Sequence, residues 1–287
     1  MSIFYCDMCG SHRDSDFIES KLMNGYTVCE SHEVKNIIFT SCGNDSVALL
    51  QWALEAKLEN IVACYSNTQW AAGWWAERVK RVAKWVEDNG GEFVEIQSEG
   101  FENLVKRKKA FPANGMGFCS YILKIEPALK WLEEADPLKL ATCYTGVMRL
   151  ESERRKNWPT YLDQSPNHGD RPLHSPLAEM SLIERDALLD RAGFRVLGHR
   201  SMECSPCINA TISDLQQLPK DDVQKVHELE VAMGVGERSG KHKYMFRKHR
   251  MGGAEGIKQV VDRANHGGGD YSPMQGDLYG CDSGFCE

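Results

Sequence analysis

What most constrains this chain is a strand, loop and helix unit near its start that recurs downstream. Ile37-Ile38-Phe39-Thr40 reads as a buried strand, Ser41-Cys42-Gly43-Asn44-Asp45-Ser46 as a tight loop, and Val47 to Ala56 as a helix with Val47, Leu50 and Leu54 on one face. Ile61-Val62-Ala63-Cys64-Tyr65 repeats the strand. A helix carrying Trp75, Val79, Val82 and Val86 follows, then the alternating strand Phe93-Val94-Glu95-Ile96. A helix from about Lys124 to Glu134 leads into a further strand, Leu140-Ala141-Thr142-Cys143-Tyr144. Strands alternating with helices imply an α/β, doubly wound, mainly parallel sheet covered on both faces, with ligands beyond the carboxyl ends of the strands.

The chain divides into three parts on this reading: a small segment over 1–34, the α/β unit over 35–215, and a helical and irregular region over 216–287. Within the last, Asp221 to about Met233 reads as an amphipathic helix, and Ser181-x-x-Glu184 opens an earlier helix that runs to about Ala192. After Gly146 the regular alternation loosens, and from about Gly252 the Gly-, Asn- and Asp-rich sequence predicts a mobile or ligand-ordered tail ending in Cys281 and Cys286.

Composition narrows the function classes. With 34 Lys and Arg against 41 Asp and Glu, the formal charge is −7. That excludes a supercharged nucleic-acid scaffold, and a hydrophobic fraction of 42% excludes disorder. Neither a membrane span nor a basic n-region followed by an apolar run is visible, so a cytoplasmic protein is expected. Its 11 cysteines would then stay reduced and are read as metal ligands or redox nucleophiles.

Those cysteines fall into groups. Cys6-x2-Cys9 and Cys29-x2-His32 form two closely spaced pairs of soft or borderline ligands, the pattern of a closed tetrahedral zinc site. A segment this short buries little apolar area, so zinc would supply most of its folding energy. Cys204-Ser-Pro-Cys207 and Cys119 form a second group, whose spacing alone leaves iron–sulfur, zinc and a purely structural role open.

Between strand and helix, Ser41-x-Gly43-x-Asp45-Ser46 offers small residues that let backbone N–H groups approach a phosphate, hydroxyls that add donors, and a helix N-terminus whose dipole favours an anion. It is neither a Walker A loop nor a dinucleotide fingerprint. Asp45 would repel phosphate unless Mg²⁺ lay between them, which argues for a metal-bridged pyrophosphate group.

The loop resembles the PP-loop of the adenine nucleotide alpha-hydrolase superfamily, and the stretch 36–210 resembles its phosphoadenosine phosphosulfate (PAPS) reductase family. Ser66-Asn67-Thr68 is similar to the family's Asp-Thr-Gly loop. Cys119-x4-Lys124-x2-Pro127 resembles its Cys-x4-Lys-x2-Pro segment, and Thr145-Gly146-Val-Met-Arg149-Leu-Glu151-Ser152-Glu-Arg-Arg155 its Thr-Gly-Ile-Arg-Arg-x-Glu-Ser-x2-Arg loop. His174-Ser-Pro176-Leu177 stands where the family has Pro-Leu before a helix. Cys42 and Asn44 replace the glycine and lysine common in ATP-hydrolysing members, while Asp45-Ser46 is unlike the loop of typical PAPS reductases.

The resemblance implies an adenine nucleotide, ATP or PAPS, bound by Ser41, Gly43, Asp45, Ser46, Ser66, Thr68, Lys124, Gly146, Arg149, Glu151 and Arg155. The cations would clamp phosphate or sulfate oxygens. Outside that setting the Glu-Ser-Glu-Arg-Arg run is an ordinary solvated cluster. The resemblance further implies a [4Fe–4S] cluster on Cys119, Cys204 and Cys207, with Cys281 or Cys286 as fourth ligand or as the nucleophile on an activated sulfate. Two reactions fit: ATP-dependent adenylation coupled to sulfur transfer, in which Asp45 holds Mg²⁺, and reduction of PAPS or adenylyl sulfate, in which a tail cysteine attacks sulfur. Expected partners are a nucleic-acid sulfur acceptor, a thioredoxin-like or persulfide donor, and further copies of the chain in a homo-oligomer. The rival reading is a non-catalytic binding module for nucleic acid or protein. Basic stretches at 106–109 and 241–250 keep nucleic-acid contact in view but read first as solvated faces.

Overall fold

The computed structural model describes residues 3–23, 25–30, 34–113, 117–153, 155–237, 239–246 and 253–266. The chain opens with two hairpins, β1 (Ile3–Cys6) with β2 (Ser11–Asp14) and β3 (Ser20–Met23) with β4 (Tyr26–Cys29). Their small core joins Cys6, Val28 and Cys29 to Leu140.

The α/β unit follows in the order β5 (Asn36–Thr40), α1 (Asn44–Glu55), β6 (Ile61–Asn67), α2 (Trp75–Asp88), β7 (Glu92–Gln97) and α3 (Phe101–Lys108). A helical turn α4 (Phe118–Ser120), a π-helical segment (Tyr121–Ile125) and α5 (Glu126–Ala135) then run together into β8 (Thr142–Tyr144). The helical stretch thus begins before Lys124, and Cys119 lies on it. After β8 come β9 (Tyr161–Ser165), β10 (Arg171–His174) and α6 (Leu182–Arg191). The chain continues through α7 (Ile212–Gln216), α8 (Lys220–Met233) and α9 (Gly256–His266).

The six-stranded sheet has the order β7-β6-β5-β8-β10-β9. All pairings are parallel except β10 with β9, so the doubly wound, mainly parallel expectation holds. Alternation along the strands feeds both faces. Ile38, Ala63 and Tyr65 enter the core beneath α1 and α2, whereas Ile37, Phe39, Val62 and Cys64 enter the one that includes Ala128 and Leu132 of α5. From β5 the chain winds outward through β6 to β7, then returns to the other side of β5 for β8. The gap between β5 and β8 is therefore the topological switch point, where loops diverge and leave a crevice.

Three expectations need correction. Strand β8 is shorter than the run Leu140–Tyr144, because the Asp136 carboxylate takes the N–H groups of Leu140 (2.9 Å) and Ala141 (3.1 Å) before they can enter a ladder. The region after Gly146 is more regular than its sequence suggests, since β9 and β10 complete the sheet edge. Glycine content also hid α9: Ile257, Val260 and Ala264 recur at helical spacing and are buried against α7 and α8 in a third core. Cys281 and Cys286 lie outside the described residues. Among the described residues no helix is long and apolar enough to cross a membrane.

Candidate nucleotide and thiol site

The loop after β5 is organised by its own side chains. Thr40 Oγ1 accepts the Cys42 N–H at 3.0 Å, Ser41 Oγ accepts the Gly43 N–H at 3.1 Å, and the Ser41 and Ser46 hydroxyls lie 3.4 Å apart. Gly43 is the N-cap of α1 and contributes no side-chain cap. The first turn of α1 therefore presents backbone donors and the positive end of its dipole at the switch point. Asn44 is fixed from outside, its side-chain amide exchanging two 3.0 Å hydrogen bonds with the Leu197 backbone.

The loop after β8 passes directly over this turn. A Cβ on Gly146 would stand 3.1 Å from the Asp45 carbonyl carbon and oxygen and 3.3 Å from Ser46 N, tighter than ordinary contact. Only glycine lets the two backbones come this close.

Asp45 is buried with Glu151 as a neighbouring carboxyl group, and Arg185 of α6 donates to Asp45 Oδ1 at 2.6 Å. Burial, then the neighbouring Glu151, pushes the Asp45 carboxyl up to about 7 against the opposing pull of Arg185. Two carboxyl groups in contact share a proton, and a divalent cation can take that proton's place. The pair therefore fits a hard metal ion.

The cations expected to clamp phosphate are each engaged. Arg149 donates to Glu179 at 2.5 Å and to the Trp158 carbonyl at 2.8 Å, Arg155 pairs with Glu151, and Lys124 pairs with Glu203 deep in the interior. Burial lowers the Lys124 pKa, but Glu203 and Cys204 outweigh it and raise it.

Ser66 lies near the end of β6 and Thr68 just beyond it. Thr68 Oγ1 donates to the Glu203 carbonyl at 2.7 Å and accepts from Cys204 Sγ at 3.5 Å, fastening the cysteine loop to the carboxyl edge of the sheet. Cys119 feels both Cys204 and Cys207, and burial first, then those thiols, pushes it up to about 12; burial likewise raises Cys204 to about 11. Metal-free, Cys119 and Cys204 are thus held toward the protonated form. Burial, then Glu203, Cys42 of the loop after β5 and Cys204, raises the pKa of the Tyr65 phenol. Burial lowers the Arg200 pKa, but Cys207, Asp214, Cys204 and Glu151 together outweigh it and raise it.

At the N-terminus, Cys6, Cys9 and Cys29 bring their sulfurs within 4.8 Å of one another, an arrangement able to hold a metal ion. The Cys29 N–H donates to Cys6 Sγ at 3.3 Å and Arg13 to Cys9 Sγ at 3.5 Å. His32 lies outside the described residues.

Sequence reasoning missed four charged residues. Arg185 stands in the first turn of a helix whose capping box was legible but whose facing surface was not. Arg78 shares a helix face with Trp75 and Val82, and Arg200 and Glu203 precede Cys204 without any motif to mark them. Of the basic stretches, 106–109 is a solvated face in which Lys106 pairs with Glu102, Arg107 with Glu99 and Lys109 with Glu237. The second stretch lies partly outside the described residues.

No protein-family profile matches the sequence, and no curated protein matches it. Among solved structures, the chain is similar to a phosphoadenylyl-sulfate (PAPS) reductase from Candida auris, determined as a phosphate complex, at 14% identity and a TM-score of 0.39 over 58% of this chain and 76% of that one. At that level the strand order of the chain itself, rather than the likeness, defines its α/β fold.

Proposed function

We propose that this chain is an enzyme of activated-sulfur chemistry that binds an adenine nucleotide at the loop after β5, and that ATP-dependent adenylation coupled to sulfur transfer is its reaction. The observation that carries the reading is that Thr68, just past the end of β6, is hydrogen-bonded to Cys204 Sγ at 3.5 Å, while β6 pairs directly with β5, whose end opens the Ser41–Ser46 loop. An anion-binding turn and a set of thiols over one sheet edge are what such a reaction needs.

Ser41, Gly43, Ser46 and the first-turn amides of α1 hold the α-phosphate, and Gly146 keeps the opposite wall low enough for the nucleotide to enter. Asp45 and Glu151 would hold Mg²⁺, whose charge would screen the two carboxylates from the phosphates. Arg149 and Arg155, exchanging carboxylate partners for phosphate oxygens, orient the departing pyrophosphate. An acceptor oxygen attacks the α-phosphorus and pyrophosphate leaves; the outer sulfur of a persulfide donor then displaces AMP, and a second thiol cleaves the S–S bond, leaving the sulfur on the acceptor and a disulfide on the donor.

Cys119, Cys204 and Cys207 suit an iron–sulfur cluster, which would supply sulfur-relay or electron-transfer chemistry when bound. What supports placing the three together is that Cys119, Cys204 and Cys207 pack against one apolar core. Lys124 and Arg200 supply positive charge to offset the thiolates. The segment 1–34 is a structural zinc ribbon on this reading, 35–215 the catalytic unit and 216–287 its cysteine-bearing extension, with a nucleic acid as sulfur acceptor.

Pyrophosphate release from ATP by anaerobically purified protein tests the reading. Release that disappears in Asp45→Ala is expected. Sulfite release from PAPS that disappears in Cys281→Ser or Cys286→Ser would replace it with a reductase, and tight nucleotide binding with neither product would replace it with a binding module.

A further inference from the structure

Cys42 adopts φ +62°, in the left-handed region that a residue with a Cβ rarely enters, and it does so fully buried in the centre of the phosphate loop. Thr40 Oγ1, at the end of β5, holds its N–H, and its carbonyl is held from another element. Arg78, in the first turn of α2, donates from Nε to the Cys42 carbonyl at 2.6 Å. Its guanidinium is fixed in turn against the faces of Trp75 and Phe194, with centroids at 5.6 and 5.5 Å.

The consequence follows from the peptide plane. In a trans peptide the C=O and the next N–H point in opposite directions. With the Cys42 carbonyl drawn toward Arg78, the Gly43 N–H faces Ser41 Oγ, which lies beside the Ser46 hydroxyl. If this peptide rotated, a carbonyl oxygen would occupy the place where an anion needs a donor. Glycine at position 42 would reach the left-handed conformation without help; cysteine does not.

We propose that Arg78 is a positioning residue of the nucleotide site. It acts through the Cys42–Gly43 peptide, keeping the carbonyl turned out of the loop and the N–H turned in, and it compensates for a side chain at a position that favours glycine. This inference rests on the nucleotide reading of the loop and adds a residue that contacts no phosphate.

The test is a double-mutant cycle on binding of ATP and of inorganic pyrophosphate, measured by calorimetry on the full chain. Arg78→Met is expected to weaken both ligands about tenfold in the native background, and by clearly less in a Cys42→Gly background, because the two changes act on one conformation. Arg78→Lys keeps the positive charge but loses the planar stacked fork and is expected to behave like Arg78→Met; it also serves should Arg78→Met fold poorly. Binding within twofold of native in both Arg78 variants, or an equal loss in both backgrounds, overturns the positioning role. Native protein that binds neither ATP, PAPS nor pyrophosphate overturns the nucleotide reading itself, and the inference with it.

Discussion

Gly146 and Asp45 meet backbone to backbone across the switch point of the sheet, so close that a single methyl group at 146 would stand 3.1 Å from the Asp45 carbonyl. The contact joins the loops after β5 and β8, adjacent strands whose connections leave in opposite directions. Gly146→Ala is therefore expected to lower unfolding stability by about 1–3 kcal/mol and to weaken nucleotide binding at the same time. Urea denaturation and ATP calorimetry on the one variant check both; a variant as stable as the native protein contradicts the close approach.

Asp45 gives the folded protein a pH signature. Its folded pKa, about 7, lies above the ordinary carboxylate value of 3.8. The folded state thus binds the extra proton between those values. The stability this proton confers is complete below pH 3.8 and is lost as pH rises through 7. Native protein without added metal should lose on the order of 1–3 kcal/mol between pH 5 and pH 8 relative to Asp45→Asn. Parallel pH profiles for the two proteins in urea denaturation would contradict the raised pKa.

Lys124 and Glu203 form an ion pair in which both side chains are almost wholly buried. Glu203→Gln leaves an uncompensated ammonium in the interior and is expected to destabilise the fold by about 3–5 kcal/mol. Replacing both residues by methionine should recover a large part of that loss. Equilibrium unfolding of the two variants decides it, and equal destabilisation in both would show that the charge imbalance is not the cause.

Much of the sheet was legible because its inner strands are buried on both faces and so appear as continuous apolar runs, as in Ile37–Thr40 and Ile61–Tyr65. The edge pair β9 and β10 was not. Tyr161 to Ser165 is largely exposed, and Arg171 enters the core only because Asp136 neutralises it at 2.6 Å. Helix α9 has a clear apolar stripe, but neighbouring glycines drew attention away from it. The loop between β5 and α1 was legible from its small residues and its place between strand and helix. Arg78 and Arg185 could not, because each reaches the loop from a helix distant in sequence, and no spacing rule encodes which face of a helix lies over a neighbouring turn.

The N-terminal hairpins should depend on metal. Two-stranded hairpins are marginal alone, and here the three thiols lie at the centre of the small core. Full-length protein is expected to hold one zinc lost in Cys6→Ser, and chelation should expose residues 1–34 to limited proteolysis while the sheet persists. Unchanged resistance to protease after complete removal of metal would contradict a metal-dependent fold.

The most direct measurement is a crystal structure of anaerobically purified protein with a non-hydrolysable ATP analogue. The account predicts phosphate oxygens within hydrogen-bond distance of the amides of Gly43 to Ser46 and beside Gly146, with Cys119, Cys204 and Cys207 around an iron–sulfur cluster over the same edge of the sheet. A nucleotide bound elsewhere, with the β5 loop closed by its own hydroxyls, would contradict it.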